Sequence, residues 1–211
     1  MGRNQLFDLL RAHGLLIKQR RSGVRTTCSS HGFAVAENLL KRTPLSGPGQ
    51  AWVSDITYIR TLEGFSYAAL ITDAYSRAIV GVDLSASLSI EGSLRALRRA
   101  IGQQKNLDRL LHHSDRGVQY CSTDYRKLLA KHHIGVSMAA VGDPYENAIA
   151  ERVNGILKQE FSMGQTFGTR LDAARALREA VTIYNHERPH LSLGYRTPSD
   201  VHSSVGTLQC Q

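Results

Sequence analysis

Apolar and polar positions change period several times along the chain, and each change marks an element. Residues 4–17 repeat with a helical period: Leu6, Leu9, Leu10 and His13 fall on one side, with Asn4 as N-cap and Gly14 near the end. Pro44, Gly47, Pro48 and Gly49 then break regular structure, and a domain boundary is expected between residues 43 and 50. Trp52 to Arg60 is dense in β-branched and aromatic residues and predicts a first strand. Phe65 to Thr72 predicts a second, joined across Leu62-Glu63-Gly64 as an antiparallel hairpin, and Ala78 to Leu84 a third. From Ser89 to Gly102 the period turns helical, with Leu94, Leu97 and Ile101 inward and Arg95, Arg98 and Arg99 outward. Leu107 to His113 predicts a fourth strand, reached by a helical crossover and therefore parallel to the first. A helix over Thr123 to His132, a short strand over Ile134 to Met138, a helix over 146–161 and a last amphipathic helix over Leu171 to Tyr184 complete the set. The tail from Asn185 to Pro198 reads as polar and irregular.

The order β-β-β-α-β-α-β-α describes a mixed sheet, an antiparallel meander followed by parallel strands, with helices packed on it. That is the α/β architecture of the ribonuclease H type. Composition adds a partner. The net charge is +8 on 211 residues, which asks for a polyanion, and nucleic acid is the first candidate. Residues 1–44 carry eight Lys/Arg against two Asp/Glu, net +6, and the remainder 18 against 16, net +2. A basic arm and linker, 1–44, thus precedes a nearly balanced unit, 45–205. Lys18, Arg20 and Arg21 head the arm's basic run and are candidate phosphate contacts, alongside the arginines at 95–99. Cys28, Cys121 and Cys210 are far apart, which indicates a reducing cytoplasm. The adjacent pairs His112-His113 and His132-His133 lack zinc spacing. No apolar run reaches membrane-spanning length and no signal core opens the chain, so a cytoplasmic protein is expected.

Three acids fall where this topology could gather them. Asp55 stands inside the first strand among Trp52, Val53, Ile56 and Tyr58, either on an exposed face or paired with a cation, since a bare carboxylate in an apolar strand is costly. Asp115 follows the fourth strand, at the carboxyl edge where open α/β sheets bind ligands, or is a plain turn residue. Glu151 lies on the 146–161 helix, where Asn147, Glu151, Asn154 and Lys158 share one stripe and Ile149, Val153, Ile156 and Leu157 lie towards the other. The stripe reads either as a solvated face or as the third wall of a site. Clustered carboxylates repel unless divalent cations neutralise them, and all-oxygen ligation suits two Mg²⁺ or Mn²⁺ ions in a phosphoryl-transfer site. Asp73, Asp83 and Asp143 are weaker candidates, read as turn or strand-end residues.

Four ordered motifs carry a resemblance: Trp52-Val53-Ser54-Asp55-Ile56-Thr57-Tyr58-Ile59; Thr72 to Gly81; His113-Ser114-Asp115-Arg116-Gly117; and Gly142 to Lys158. They resemble the integrase core of bacterial insertion-sequence transposases, the OrfB type of the IS3 family, related to retroviral integrases. Thirty-five residues, 116–150, separate Asp115 from Glu151, as in that group, and Lys158 follows seven later. The tail, with Tyr184-Asn185, Arg188-Pro189-His190, Leu193-Gly194-Tyr195 and Thr197-Pro198, is similar to the group's C-terminal signature. The resemblance implies an Asp55/Asp115/Glu151 triad, two metal ions, and cleavage and strand transfer at element ends. It also implies DNA contacts at Lys158, Asn147 and Arg116, at least a dimer on DNA, a partner protein from an upstream reading frame, and action in the bacterial nucleoid. Only one helix and the basic arm precede the core, which suggests a truncated DNA-binding region. Two rival readings are a catalytically idle DNA-binding remnant and a ribonuclease H-like nuclease.

Overall fold

In the computed structural model, residues 2–15, 35–139 and 147–204 are described; Lys18, Arg20, Arg21, Cys28, Asp143 and Cys210 lie outside them. The centre is β1 (Ala51–Thr61), paired antiparallel with β2 (Gly64–Asp73), which pairs antiparallel with β3 (Ile79–Ser85). On its other edge β1 pairs in parallel with β4 (Leu111–Ser114), and β4 with β5 (Gly135–Met138), giving the order β3-β2-β1-β4-β5. This is the expected mixed sheet. A two-residue strand, β6 (Thr166–Phe167), pairs in parallel with the far end of β1.

Helices cover both faces, which is why β1 and β2 read as nearly continuous apolar runs. Trp52, Ile56, Ala69 and Ile71 point towards α2 (Ile90–Gln103) and α4 (Thr123–Lys131), packing with Leu94, Leu97, Tyr125 and Leu129. Gly81 on β3 lets α2 come close, since a Cβ there would lie 2.5 Å from the Ala96 carbonyl oxygen. Ile59, Ala68, Leu70 and Ile79 point the other way, towards α5 (Ala148–Glu160) and α6 (Arg170–His186), meeting Val153, Ile156, Leu157, Leu177 and Tyr184. Alternation along β1 therefore puts Asp55 on the α5/α6 side. The segment before β1 is tied to the sheet: the backbone amides of Leu39 and Leu40 donate to Ser137 Oγ on β5.

Some boundaries differ from expectation. The first helix is α1 (Arg3–Ala12), capped at Gly2 rather than Asn4, with no buried residue. β4 starts at Leu111, not Leu107: Arg109 takes a positive φ of 57° and the Leu110 amide closes a turn onto Leu107. A one-turn helix, α3 (Val118–Cys121), precedes α4. The tail is structured. A 3₁₀ turn (Leu191–Leu193) leads to α7 (Pro198–Ser203), whose N-cap Thr197 and Asp200 form a reciprocal capping box. No helix among the described residues is long and apolar enough to cross a membrane.

Candidate active site

The parallel register of β1 and β4 builds the site. Ser54 lies opposite Ser114, the last paired couple, so the next step along both strands brings Asp55 beside Asp115 at the carboxyl edge of β4. Asp115 folds back to accept from the Gly117 amide (2.9 Å). Asp55 accepts from the Ile56 amide (2.8 Å) and from Asn154 Nδ2 on α5 (2.6 Å). Burial first, then the Asp115 charge, pushes the Asp55 carboxyl up to about 7 despite those two donors; Glu151 adds a smaller push in the same direction. The two aspartates are thus electrostatic neighbours, and the third acid is within their field.

Glu151 itself is exposed in the first turn of α5. Among the described residues no three His, Cys, Asp or Glu side chains are gathered closely enough to hold one ion. The carboxylates share one side of the sheet without forming a closed cage. The donor chemistry nevertheless fits a hard cation. It is all oxygen, it carries unrelieved like charge, and the buried Oδ1 atoms of Asn147 and Asn154 have no hydrogen-bond partner.

The polar stripe of α5 is not a solvated face. Asn147 and Asn154 are buried, and only Glu151 is exposed. Asn147 Nδ2 donates to the Ser54 carbonyl (3.2 Å), so the residue expected as a DNA contact holds the base of α5 against β1. Arg116, also expected as a contact, donates from Nε to the Ala139 carbonyl at the end of β5 (2.8 Å). Lys158 Nζ sits 4.3 Å from the Tyr58 ring centroid. Burial lowers its pKa, while the Asp55 charge opposes that shift.

Buried hydrogen bonds lie beside the site: His112 Nε2 lies 2.7 Å from Ser54 Oγ and 2.9 Å from Tyr125 Oη, and His113 Nδ1 lies 2.8 Å from Ser137 Oγ. The adjacent histidines therefore serve the two faces of β4. Two of the weaker candidate acids, Asp73 and Asp83, are structural. Asp73 is buried and accepts from Gly49, Tyr75 and Ser76 amides and from Ser76 Oγ. Asp83 is gripped by Arg95 (2.7 Å) and Arg99 (2.8 Å), so these two arginines of α2 are engaged with the sheet. Sequence pattern had no means of assigning Asn154 its role, because its partner is 99 positions away; its only signal was the three-residue step from Glu151.

Comparison with known proteins shows the family and the fold. Two Integrase core domain families match residues 46–144 and 132–198. A 31 kDa protein of insertion element IS600 from Shigella sonnei is 38% identical over 94% of this chain and 74% of its own length. The transposase InsF of insertion sequence IS3A from Escherichia coli K12 is 37% identical over 90% of this chain; the match spans 66% of that protein. Among solved structures, the HTLV-2 integrase catalytic core domain in complex with magnesium superposes with a TM-score of 0.60 at 19% identity, covering 75% of this chain and 99% of that one.

Proposed function

Since this chain belongs to the bacterial IS3 family of insertion-sequence transposases and carries their integrase core, we propose that it cleaves DNA at the ends of its element and joins the freed 3′-hydroxyl to target DNA. Asp55, Asp115 and Glu151 would hold two divalent cations, Mg²⁺ or Mn²⁺. Bound there, the ions would neutralise the clustered carboxylates and supply Lewis acidity at the reacting phosphodiester. The chain's own residues do the rest. Asn154 fixes the orientation of the Asp55 carboxylate, and Asn147 anchors against β1 the start of α5, whose first turn carries Glu151. Lys158, on the same face of α5, contacts a DNA phosphate beside the site. Arg116 and the run Lys18, Arg20 and Arg21 add phosphate contacts that hold the duplex without reading its sequence.

Joining two ends needs two copies of the chain, so we infer at least a dimer on DNA, with a partner protein from an upstream frame. Residues 45–205 form the catalytic unit and residues 1–44 a basic arm, and the complex works on the bacterial nucleoid. The observation that carries the reading is that Asp55, in the middle of β1, lies beside Asp115 at the carboxyl end of its parallel neighbour β4, with the Asp55 carboxyl pushed to about 7. A strand-transfer assay on element-end DNA, with and without Mg²⁺, tests it. Activity should require the ion, and full activity in Asp115→Asn or Glu151→Gln would overturn the assignment.

A further inference from the structure

On the flank of α5 away from Asp55, the chain encloses a cavity of about 600 Å³ between α5, the end of α6 and the tail. Its size is that of a small-ligand site. Three cations line it, Arg77, Arg152 and Arg188, with His190, Tyr184 and Tyr195. Two of the cations are already held. Arg188 forks onto Glu160 (2.6 and 2.8 Å), and Arg77 donates to the Ala74 carbonyl. Arg152 is exposed on the turn of α5 next to Glu151 and faces the cavity.

His190 stands at the inner wall, 8% exposed, with its Nε2 buried and without a partner. Its ring packs edge-on against Tyr184, centroids 5.1 Å apart, so it cannot swing out without losing that contact. A buried imidazole nitrogen with nothing to bond is costly unless a ligand supplies the missing partner. Tyr195, 71% exposed and held at a positive φ of 63°, offers a free aromatic face at the mouth. An exposed arginine, an unsatisfied imidazole and an open tyrosine make a site for an anion attached to a flat ring.

We propose that this cavity binds one nucleotide of a single DNA strand, its phosphate on Arg152 and His190 and its base stacked on Tyr195. The inference rests on the transposase reading above, and it places the strand's exit from the catalytic carboxylates along the opposite flank of the same helix. Three arginines line the cavity against one neighbouring acid, Glu160, which Arg188 holds, so the charge balance favours a polyanion such as nucleic acid.

The test uses the full chain and a short fluorescent single-stranded oligonucleotide carrying one 5-iodouracil, in EDTA. Anisotropy reads affinity, and photocrosslinking with peptide mapping reads position. Arg152→Glu and Tyr195→Ala should each weaken binding roughly tenfold, and the crosslink should fall within residues 184–196. Thymidine monophosphate should compete better than inorganic phosphate. Parent-like affinity in both variants, or a crosslink elsewhere, overturns the proposal. His190→Gln, which keeps a polar partner for the ligand, should bind better than His190→Phe; equal binding counts against the imidazole's role. Because EDTA removes metal-dependent chemistry from these measurements, they stay readable even if strand transfer survives Asp115→Asn, the result that would sink the catalytic reading instead.

Discussion

Asp83 and Asp55 are both aspartates inside strands of one sheet, and they are held in opposite ways. Asp83, on β3, is 5% exposed, and two guanidinium groups from α2 close on it together with Ser85 Oγ. Asp55, on β1, meets an amide, a backbone N–H and a second carboxylate, and no arginine. The first charge is neutralised from within and needs nothing else. The second is left with its charge problem unsolved, where the short strand β4 ends beside the middle of β1. A buried acid with its own cations is architecture, and a buried acid facing another acid is a request for an external cation. The helices show the same division: α2 sends Arg95 and Arg99 to Asp83, whereas α5 sends the Asn154 amide to Asp55.

The sharpest way to break this comparison is to remove one carboxylate. Asp115→Asn should reduce strand transfer by on the order of 10³-fold, because a site that stabilises the transition state through its ions loses several kcal/mol with one ligand gone. The same variant should melt higher than the parent in EDTA, since like-charge repulsion is relieved, and should lose the rise in melting temperature that Mg²⁺ or Mn²⁺ gives the parent. A parent whose melting temperature ignores both ions would remove the contrast with Asp83.

On the Asp83 side the effect is on stability. Replacing Arg95 and Arg99 together by Met keeps their stems but leaves Asp83 buried with Ser85 alone. Loss of both partners should lower the unfolding free energy by about 3 kcal/mol, the low end for an uncompensated buried charge because the arginines are 45% and 53% exposed. Urea titration measures it, and a loss below about 1 kcal/mol would mean that Asp83 finds water or other donors.

His112, three residues before Asp115, is a third solution: an ionisable group kept neutral. It is fully buried between Ser54, Tyr120 and Tyr125, and burial first, then neighbouring His113, lowers its pKa from 6.5 to about 3. The folded value lies below the unfolded one, so the unfolded chain takes the proton first as pH falls. The stability this group allows is complete above about 6.5 and is lost between there and about 3. At pH 5 the loss should reach about 2 kcal/mol. Unfolding at pH 7 and pH 5, compared between parent and His112→Gln, isolates it; an equal drop in both would show that other groups carry the acid sensitivity.

Much of this arrangement could be read from residue order. The apolar density of 52–60 and 65–72 marked the two central strands, and the motif spacing marked Asp55, Asp115 and Glu151 as a set. What stayed hidden was whatever depends on partners distant in the chain. β6 is two residues long and exists only because β1 has a free edge beside it. Asp83 and the arginines of α2 are ordinary surface residues until β3 and α2 are packed together. The tail looked irregular because it is largely polar and shows no clear period, although Thr197-Pro198-Ser199-Asp200 already spelled a capping box. The polar stripe of α5 showed in the spacing, but its two asparagines were bound to be misjudged, since an amide is equally at home in water and against a buried carboxylate.

Asn154 is therefore where the comparison can be tuned most finely. Its Nδ2 donates to Asp55 at 2.6 Å while its Oδ1 is buried and unpartnered. Asn154→Ala removes the donor that fixes the carboxylate and leaves the strand, the helix and all three acids in place. A hydrogen bond to a charged group contributes about 1.5–3 kcal/mol, part of which the bound cations would restore by holding Asp55 themselves. The expected result is a loss of strand transfer of roughly tenfold at low Mg²⁺ that shrinks as Mg²⁺ rises, because weaker positioning shows first as weaker ion binding. Asn154→Asp makes the complementary case: it adds a fourth charge to the cluster, so it should depress stability in EDTA and recover more with the ion than Ala does. If Ala and Asp respond to Mg²⁺ alike, Asn154 acts only in packing, and the orientation of Asp55 is set by the strand alone.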